Sequence, residues 1–304
     1  MTAILTACTQ RKRVSHSPLL CARDLPDGKL SDVVETWADR LSQVKVTRPA
    51  KDLYCGRSFS EAVKAAQNTQ ADLYIVSAGL GLVPGDVDVP SYNLTVSKGT
   101  ADCVMNKLDG EYSEADWWAA LGGAEALLRV IEQADPVVVV GLPSPYLRMV
   151  APTLALLSDR LCSKLRIVGG RDVPDLDPRL EDFRLPYDDR LDGPESSLPG
   201  TKSDFASRAA RHFAEEILVK APVASIDIHR TLTEASMSTW TRPTAKSGAR
   251  MSDADLKSIV RDHWSRAGGR STKLLRILRD ELNVACEQKR FAKLAAEIRK
   301  EQAL

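Results

Sequence analysis

Residues 3–8 read AILTAC, a short apolar run of strand length around Thr6. Three further runs share that character: ADLYIVSA at 71–78, PVVVVG at 136–141 and KLRIVGG at 164–170. None alternates between apolar and polar positions, the pattern of strands buried on both faces of a sheet. Helical spacing fills the intervals at 30–44, 58–70, 113–134 and 145–163, and a last such segment covers 203–221. Ser113 with Asp116 makes a capping-box pattern at the start of the third segment. The stretch GLGLVPGDVDVPSYNLTV at 79–96 has too many glycines and prolines for either period and reads as loop. These patterns predict an α/β fold, a three-layer α/β/α arrangement around a mostly parallel sheet, over residues 1–221. Polar residues gather after each strand: TQRKR, SAGLGLVPGDVDVPSYN, GLPSPY and GGRDVPDLD. The loops at the carboxyl ends of such strands are where α/β folds place their sites.

The pattern changes beyond residue 221. Residues 222–248 are rich in Ser, Thr and Pro and read as a linker. Residues 249–304 predict a small helical domain of three helices, with Ser252 as an N-cap. The helices around NVAC suit a helix-turn-helix, and an ordinary three-helix cap is the alternative. Charge separates the two parts. The whole chain carries +1, but residues 242–304 hold 15 Lys and Arg against 8 Asp and Glu, a net of +7 that leaves −6 for residues 1–241. A basic tail on an acidic body points to an anionic partner, double-stranded DNA first, through Arg276, Arg279, Lys289 and Arg290. A solvated basic helix face would carry the same residues.

Several classes are excluded by pattern. No apolar run approaches the roughly 20 residues of a membrane span, and MTAILTACTQRKR has its apolar stretch ahead of its basic cluster, unlike a secretory signal. The six cysteines form no C-x-x-C pair, which argues against zinc and fits reduced thiols in the cytoplasm. There is no Walker A loop, no G-x-G-x-x-G after a strand, no zinc-deaminase signature and no G-x-S-x-G elbow. No metal and no cofactor is expected. Of the four histidines, His212 falls within an amphipathic helix and reads as structural.

What remains are amides, aromatics and charges on loops. Tyr92 and Asn93 offer a ring for stacking on a base and an amide for reading its edge, or an ordinary turn beside a packed tyrosine. RLPYDDRLDGPESSLPGTKSDF gathers Tyr187, Asp188, Asp189, Arg190, Asp192, Lys202 and Asp204. There Asp188 or Asp189 would stabilise a sugar cation or position water, with Arg190 and Lys202 on phosphates. An Asp- and Pro-rich surface loop would look similar. Tyr54 and Arg57 offer a stacking face and a phosphate contact, or a helix-entry packing motif. Gln10, Arg11 and Lys12 leave the first strand where they would meet a nucleotide.

The spacing Cys8, then Tyr54 and Phe59, then Ser77-Ala78, Gly81-Leu82 and Tyr92-Asn93 with Thr95 resembles an uncharacterised bacterial domain related to the uracil-DNA glycosylase-like module of archaeosine synthases, with Ser91 as an insertion. The resemblance covers about residues 1–220. It implies a uracil-DNA glycosylase-like fold, and sets Ser77 beside the other substrate-binding candidates. GLPSPY is similar to the His-Pro-Ser-Pro loop of uracil-DNA glycosylases at Pro143, Ser144 and Pro145, with Leu142 in the histidine's place. The Gly-Gln-Asp-Pro-Tyr pattern is missing. The loop is therefore expected to wedge DNA, with the chemistry supplied by carboxylates. The tail's Leu275, Arg276, Leu278, Arg279 and Cys286 to Phe291 resemble DNA-binding helical modules. A glycosylase-like body with such a tail resembles antiphage DNA glycosylases of the Brig type, which excise hypermodified, glucosylated cytosines from phage DNA and leave abasic sites. That resemblance implies DNA glycosylase activity in antiviral defence. A transferase of a deazaguanine-type pathway and a non-enzymatic DNA sensor are the alternatives.

Overall fold

The first apolar run forms strand β1, Ala3–Ala7, at the centre of a five-stranded sheet. With β2 Asp72–Ser77, β3 Gly81–Pro84, β4 Val138–Gly141 and β5 Leu165–Ile167, the order is β3-β2-β1-β4-β5. β1 runs parallel to β2 and β4, and β5 runs parallel to β4. Register sets Leu5 beside Tyr74 on one side and Val140 on the other. The computed structural model describes residues 1–171, 173, 176–244 and 248–301. The chain divides into two units, Met1–Pro243 and Thr244–Leu304. Among the described residues, no helix is long and apolar enough to cross a membrane.

The valine run shows why the strands lack alternation. Val138 and Val140 join Leu5 in one core cluster, while Val137 and Val139 join Ile4 in another. Both sheet faces are thus covered, as the α/β reading expected. The first cluster takes side chains from α1 Leu30–Ser42, α3 Glu114–Ala120, α4 Gly123–Gln133 and α5 Ser144–Ala155. The second takes Ala65 and Ala66 of α2 Arg57–Thr69 and Phe205, Ala209 and Ala210 of α6 Phe205–His212. Behind β5, an added Cβ on Gly169 would lie 2.4 Å from the Leu142 carbonyl oxygen. Only glycine lets the two strand-exit loops approach so closely.

Three local expectations are corrected. β3 lies in the stretch read as loop: Gly81, at φ +69°, turns the chain back so that β3 pairs antiparallel with β2. The segment 113–134 is two helices, because Gly122 at φ +76° breaks it while the Ser113 capping box stands. The segment 145–163 likewise ends at Ala155 and resumes only over Asp159–Cys162.

The linker is also revised: within 222–248, α7 Ile226–Ser236 is a helix capped by Ser225. Its inward face uses His229 and Thr233, so apolar spacing could not reveal it. His229 Nδ1 accepts from Arg166 Nε at 2.7 Å, and Nε2 donates to the Ala221 carbonyl at 2.8 Å. That arrangement needs a neutral ring. Burial pushes His229 below the ordinary 6.5, and burial does the same at His212. With a folded pKa below the unfolded one, the unfolded chain binds protons that the folded rings refuse, so stability falls as pH drops below about 6.5. Melting temperatures are expected to fall between pH 7 and 5. The profile should be flatter in His229→Asn, whose amide oxygen still accepts from Arg166; parallel profiles would exclude His229 as a source.

In the second unit, α8 Asp253–Asp262, α9 Ser271–Arg276 and α10 Gln288–Glu301 share one apolar core, including Leu256, Leu274, Phe291 and Ile298. α9 runs on through wider turns over Ile277–Glu281. The connection read as the turn of a helix-turn-helix carries a short strand. Asn283 adopts a left-handed φ of 50°, and Val284–Ala285 then pair parallel with Ala249–Arg250 before α10 begins. Arg279 donates to the Cys286 carbonyl at 2.7 Å and Arg290 to Asp253 at 2.7 Å, so both arginines also hold the unit together. Arg276, near Asp280, and Lys289 are exposed.

Candidate functional site

The four parallel strands define a switch point between β1 and β4, where chain connections leave in opposite directions. After β4, Pro143 caps α5, and its carbonyl accepts from the N–H groups of both Tyr146 and Leu147 at 2.9 Å. Ser144 and Pro145 are the first two helical residues, a position that suits proline's fixed φ and missing N–H.

Against this rigid turn lies a cleft of about 440 Å³, lined by Pro143, Ser144, Pro145, Arg171, Asp189, Asp192, Lys202 and Phe205. Six residues singled out from sequence therefore meet: Pro143, Ser144, Pro145, Asp189, Asp192 and Lys202. Arg171, on the loop after β5, donates to Asp189 Oδ1 at 2.6 Å and to the Tyr187 carbonyl at 3.1 Å. Its guanidinium lies 4.1 Å above the Phe205 ring centroid, which makes a flat platform at the cleft. Asp192 is paired with Arg208, which has no exposed side-chain surface. Arg208 also donates to Asp204 at 2.7 Å and to the carbonyls of Leu191, Leu198 and Thr201. Arg171, Phe205 and Arg208 escaped the sequence reading. Position after a strand was a signal for Arg171, although residues 172, 174 and 175 of its loop lie outside the described residues. Nothing local marked Arg208.

Other candidates are placed elsewhere. Asp188 turns from the cleft lining and accepts from Arg190 Nε at 2.9 Å and Arg242 at 3.2 Å. Burial alone would raise its pKa, but hydrogen bonds from Arg190 and Arg242 outweigh it and hold Asp188 below the ordinary carboxylate range. Arg190 also grips both oxygens of Glu234, at 2.6 and 2.8 Å, which fastens α7 to the loop. The pair is a structural lock in place of an acid and a phosphate ligand. Asn93 donates to Asp102 at 2.8 Å, and Asp102 is held in turn by Arg23 at 2.9 Å, so the amide serves this network. Arg57 is tied to Asp204 at 3.2 Å and to the Pro199 carbonyl. Gln10 and Arg11 are exposed on the loop after β1.

Lys12, Tyr54, Ser77 and Tyr92 form a second, largely sealed constellation. The Tyr92 hydroxyl lies 2.7 Å from Ser77 Oγ and 3.0 Å from the Tyr54 hydroxyl. Lys12 Nζ sits 4.2 Å over the Tyr92 ring and 5.6 Å over that of Tyr54. Trp37 meets Tyr92 edge-on at 6.1 Å. A Cβ on Gly79 would come within 2.8 Å of the Tyr92 ring, so this glycine follows from packing. Burial pushes the phenols of Tyr54 and Tyr92 upward. With its ring enclosed, Tyr92 offers no face to a base, and Lys12 points inward instead of toward a phosphate. Cys8 Sγ, 3.1 Å from the Tyr146 hydroxyl, links this constellation to the first turn of α5.

Residues 40–110 match the model of a family of unknown function, DUF6884. That segment carries Tyr54, Ser77 and Tyr92, the three hydroxyls at the centre of the sealed constellation. No curated protein and no solved structure matches the chain. Among the described residues, no group of three or more His, Cys, Asp or Glu is placed to hold a metal ion.

Proposed function

We propose that this chain is a cytoplasmic DNA glycosylase of uracil-DNA glycosylase-like fold. It would excise a modified base, a glucosylated cytosine foremost, from invading phage DNA. One observation carries the reading: the Pro143-Ser144-Pro145 turn and the carboxylates of Asp189 and Asp192 line the same cleft, beside the carboxyl ends of β4 and β5. The cleft's volume is within the range of small-molecule sites. The stiff turn wedges the duplex, the Arg171–Phe205 platform stacks the extruded base, and Lys202 meets a flanking phosphate. Leu142 is fully buried where uracil-DNA glycosylases carry a histidine, so no imidazole assists the departing base. Asp192 and Asp189 stabilise positive charge at C1′ as the glycosidic bond breaks, and water adds there. The basic second unit supplies salt-dependent affinity for duplex DNA.

The test is incubation of the protein with phage DNAs bearing different base modifications, followed by mass spectrometry of released bases and chemical labelling of abasic sites. Release from glucosylated-cytosine DNA and none from unmodified DNA is expected. Newly modified nucleosides without release would favour a transferase, and binding without either change a sensor.

A further inference from the structure

We propose that Arg11, Arg13 and Arg148 form a phosphate-binding track on the first unit, which holds the DNA backbone beside the cleft; this rests on the glycosylase reading above. The observation behind it is three exposed guanidiniums, at one end of the sheet, that meet no carboxylate. Among the described residues none of the three forms an ion pair or a side-chain hydrogen bond. Acids are in excess in this part of the chain, since residues 1–241 carry a net −6. Arginines elsewhere in the unit find them, as Arg23 does at Asp102, Arg184 at Glu181 and Arg211 at Glu61.

Backbone geometry turns all three outward. Lys12 is bridged antiparallel to Tyr54, with the Arg13 N–H donating to the Leu53 carbonyl at 2.9 Å and the Cys55 N–H to the Arg11 carbonyl at 3.1 Å. Side chains alternate along such a bridged segment. Lys12 turns inward over the rings of Tyr92 and Tyr54, so Arg11 and Arg13 on either side of it face solvent. α5 repeats the arrangement at helical period. Tyr146 meets Cys8 and Leu147 is buried, while Pro145 and Arg148, three residues apart, share an exposed face. β1 and β4 are parallel neighbours, so the loops leaving them emerge at the same end. The 3.1 Å contact between Cys8 Sγ and the Tyr146 hydroxyl joins the exit of β1 to the first turn of α5. Pro145 lines the cleft, which places Arg148 one helical turn beyond its wall.

A guanidinium keeps its charge throughout the working pH range and offers a fork of N–H donors that matches phosphate. Without a carboxylate on it, no internal ion pair has to break before it takes an anion. A duplex drawn against the Pro143-Ser144-Pro145 turn would present phosphates on both sides of an extruded nucleotide. Lys202 meets them from within the cleft, and the track meets them from the β1 side. Contacts of this kind fix the position of the backbone and are indifferent to base sequence.

The experiment uses the full chain and an unmodified DNA duplex, with affinity measured over a series of salt concentrations. Each phosphate contact removed should reduce the slope of log affinity against log salt by about 0.9. Arg148→Ala is expected to show the loss of one contact, and the double variant Arg11→Ala with Arg13→Ala the loss of two. Arg160, exposed on the helix Asp159–Cys162 that precedes β5, stands at the opposite end of the sheet. Arg160→Glu and Arg148→Glu change net charge equally, so comparing them separates a local contact from overall charge. Affinity should fall several-fold further for Arg148→Glu, with melting curves confirming that each variant is folded. Equal losses in those two variants, unchanged slopes in the alanine variants, or no binding by the unaltered chain would overturn the track. Tighter binding of an RNA duplex of the same sequence would overturn DNA as its partner. The probe carries no modified base, so the outcome is independent of excision. A working track without base release from any DNA would sink the glycosylase reading alone, and base release with unchanged slopes would sink only the track.

Discussion

Arg208→Met is expected to destabilise the first unit by about 3–5 kcal/mol, the range for removing one partner of a buried ion pair. The native guanidinium joins Asp192 and Asp204 and satisfies carbonyls of Leu191, Leu198 and Thr201. Methionine fills similar volume but leaves Asp192 without its cation, Asp204 with Arg57 and the Thr201 N–H, and the Leu191 and Leu198 carbonyls without this donor. Gly200 shows how closely the loop wraps this side chain, since a Cβ there would lie 2.1 Å from Arg208 Nε. Arg208→Lys should not rescue, because one ammonium cannot span the five acceptors. For a unit of this size the loss corresponds to roughly 10 °C in melting temperature. Denaturant titration of the full chain checks the energy. A loss below about 1 kcal/mol would mean that the loop opens and rehydrates its acids, leaving Arg208 no structural role.

The second large effect is on chemistry. Asp192→Asn is expected to slow base release by about 10²–10³-fold, the range for removing one preorganised electrostatic contact to a transition state. Asparagine keeps an oxygen for Arg208, so the fold should stand while the negative charge disappears. Asp192 is the more enclosed of the two cleft carboxylates, with 14% of its side chain exposed against 52% for Asp189. Solvent weakens the field of the exposed group, and Asp189→Asn should therefore cost less. Single-turnover release at saturating protein, with DNA affinity measured in parallel, separates the effects. Unchanged release by Asp192→Asn would remove this carboxylate from the mechanism.

Residue types and spacing carried the strands and one wall of the cleft, the Pro143-Ser144-Pro145 turn. Consecutive apolar residues identify a doubly covered strand, and polar residues at its carboxyl end mark a rim. That reasoning placed Ser144 on the rim. Asp189 and Lys202, outside all four strand-exit loops, join it only in the folded chain, and Tyr92, Asn93 and Asp188, expected beside it, do not line that cleft. Orientation is where it stopped. Asp188 and Asp189 are neighbours in sequence, yet one faces Arg190 and Arg242 and the other faces Arg171. Tyr92 and Asn93 looked like a base reader by residue type alone. Three distant segments enclose the tyrosine, through Trp37, Tyr54 and Lys12, and Asp102 engages the asparagine.

By itself, then, the sequence determined the α/β plan with its four buried strands, the capped start of α3, the basic tail and the rim on which a site would sit. These follow from periodicity, local backbone chemistry and charge, which act over a few residues. Tertiary structure alone decided that β3 turns back at Gly81, that α7 docks through a histidine and a threonine, and that Arg171, Phe205 and Arg208 build the cleft. It also decided that Lys12 and Tyr92 turn inward. Each of those outcomes depends on which distant group satisfies a buried polar atom, and that partner is chosen only when the whole core closes.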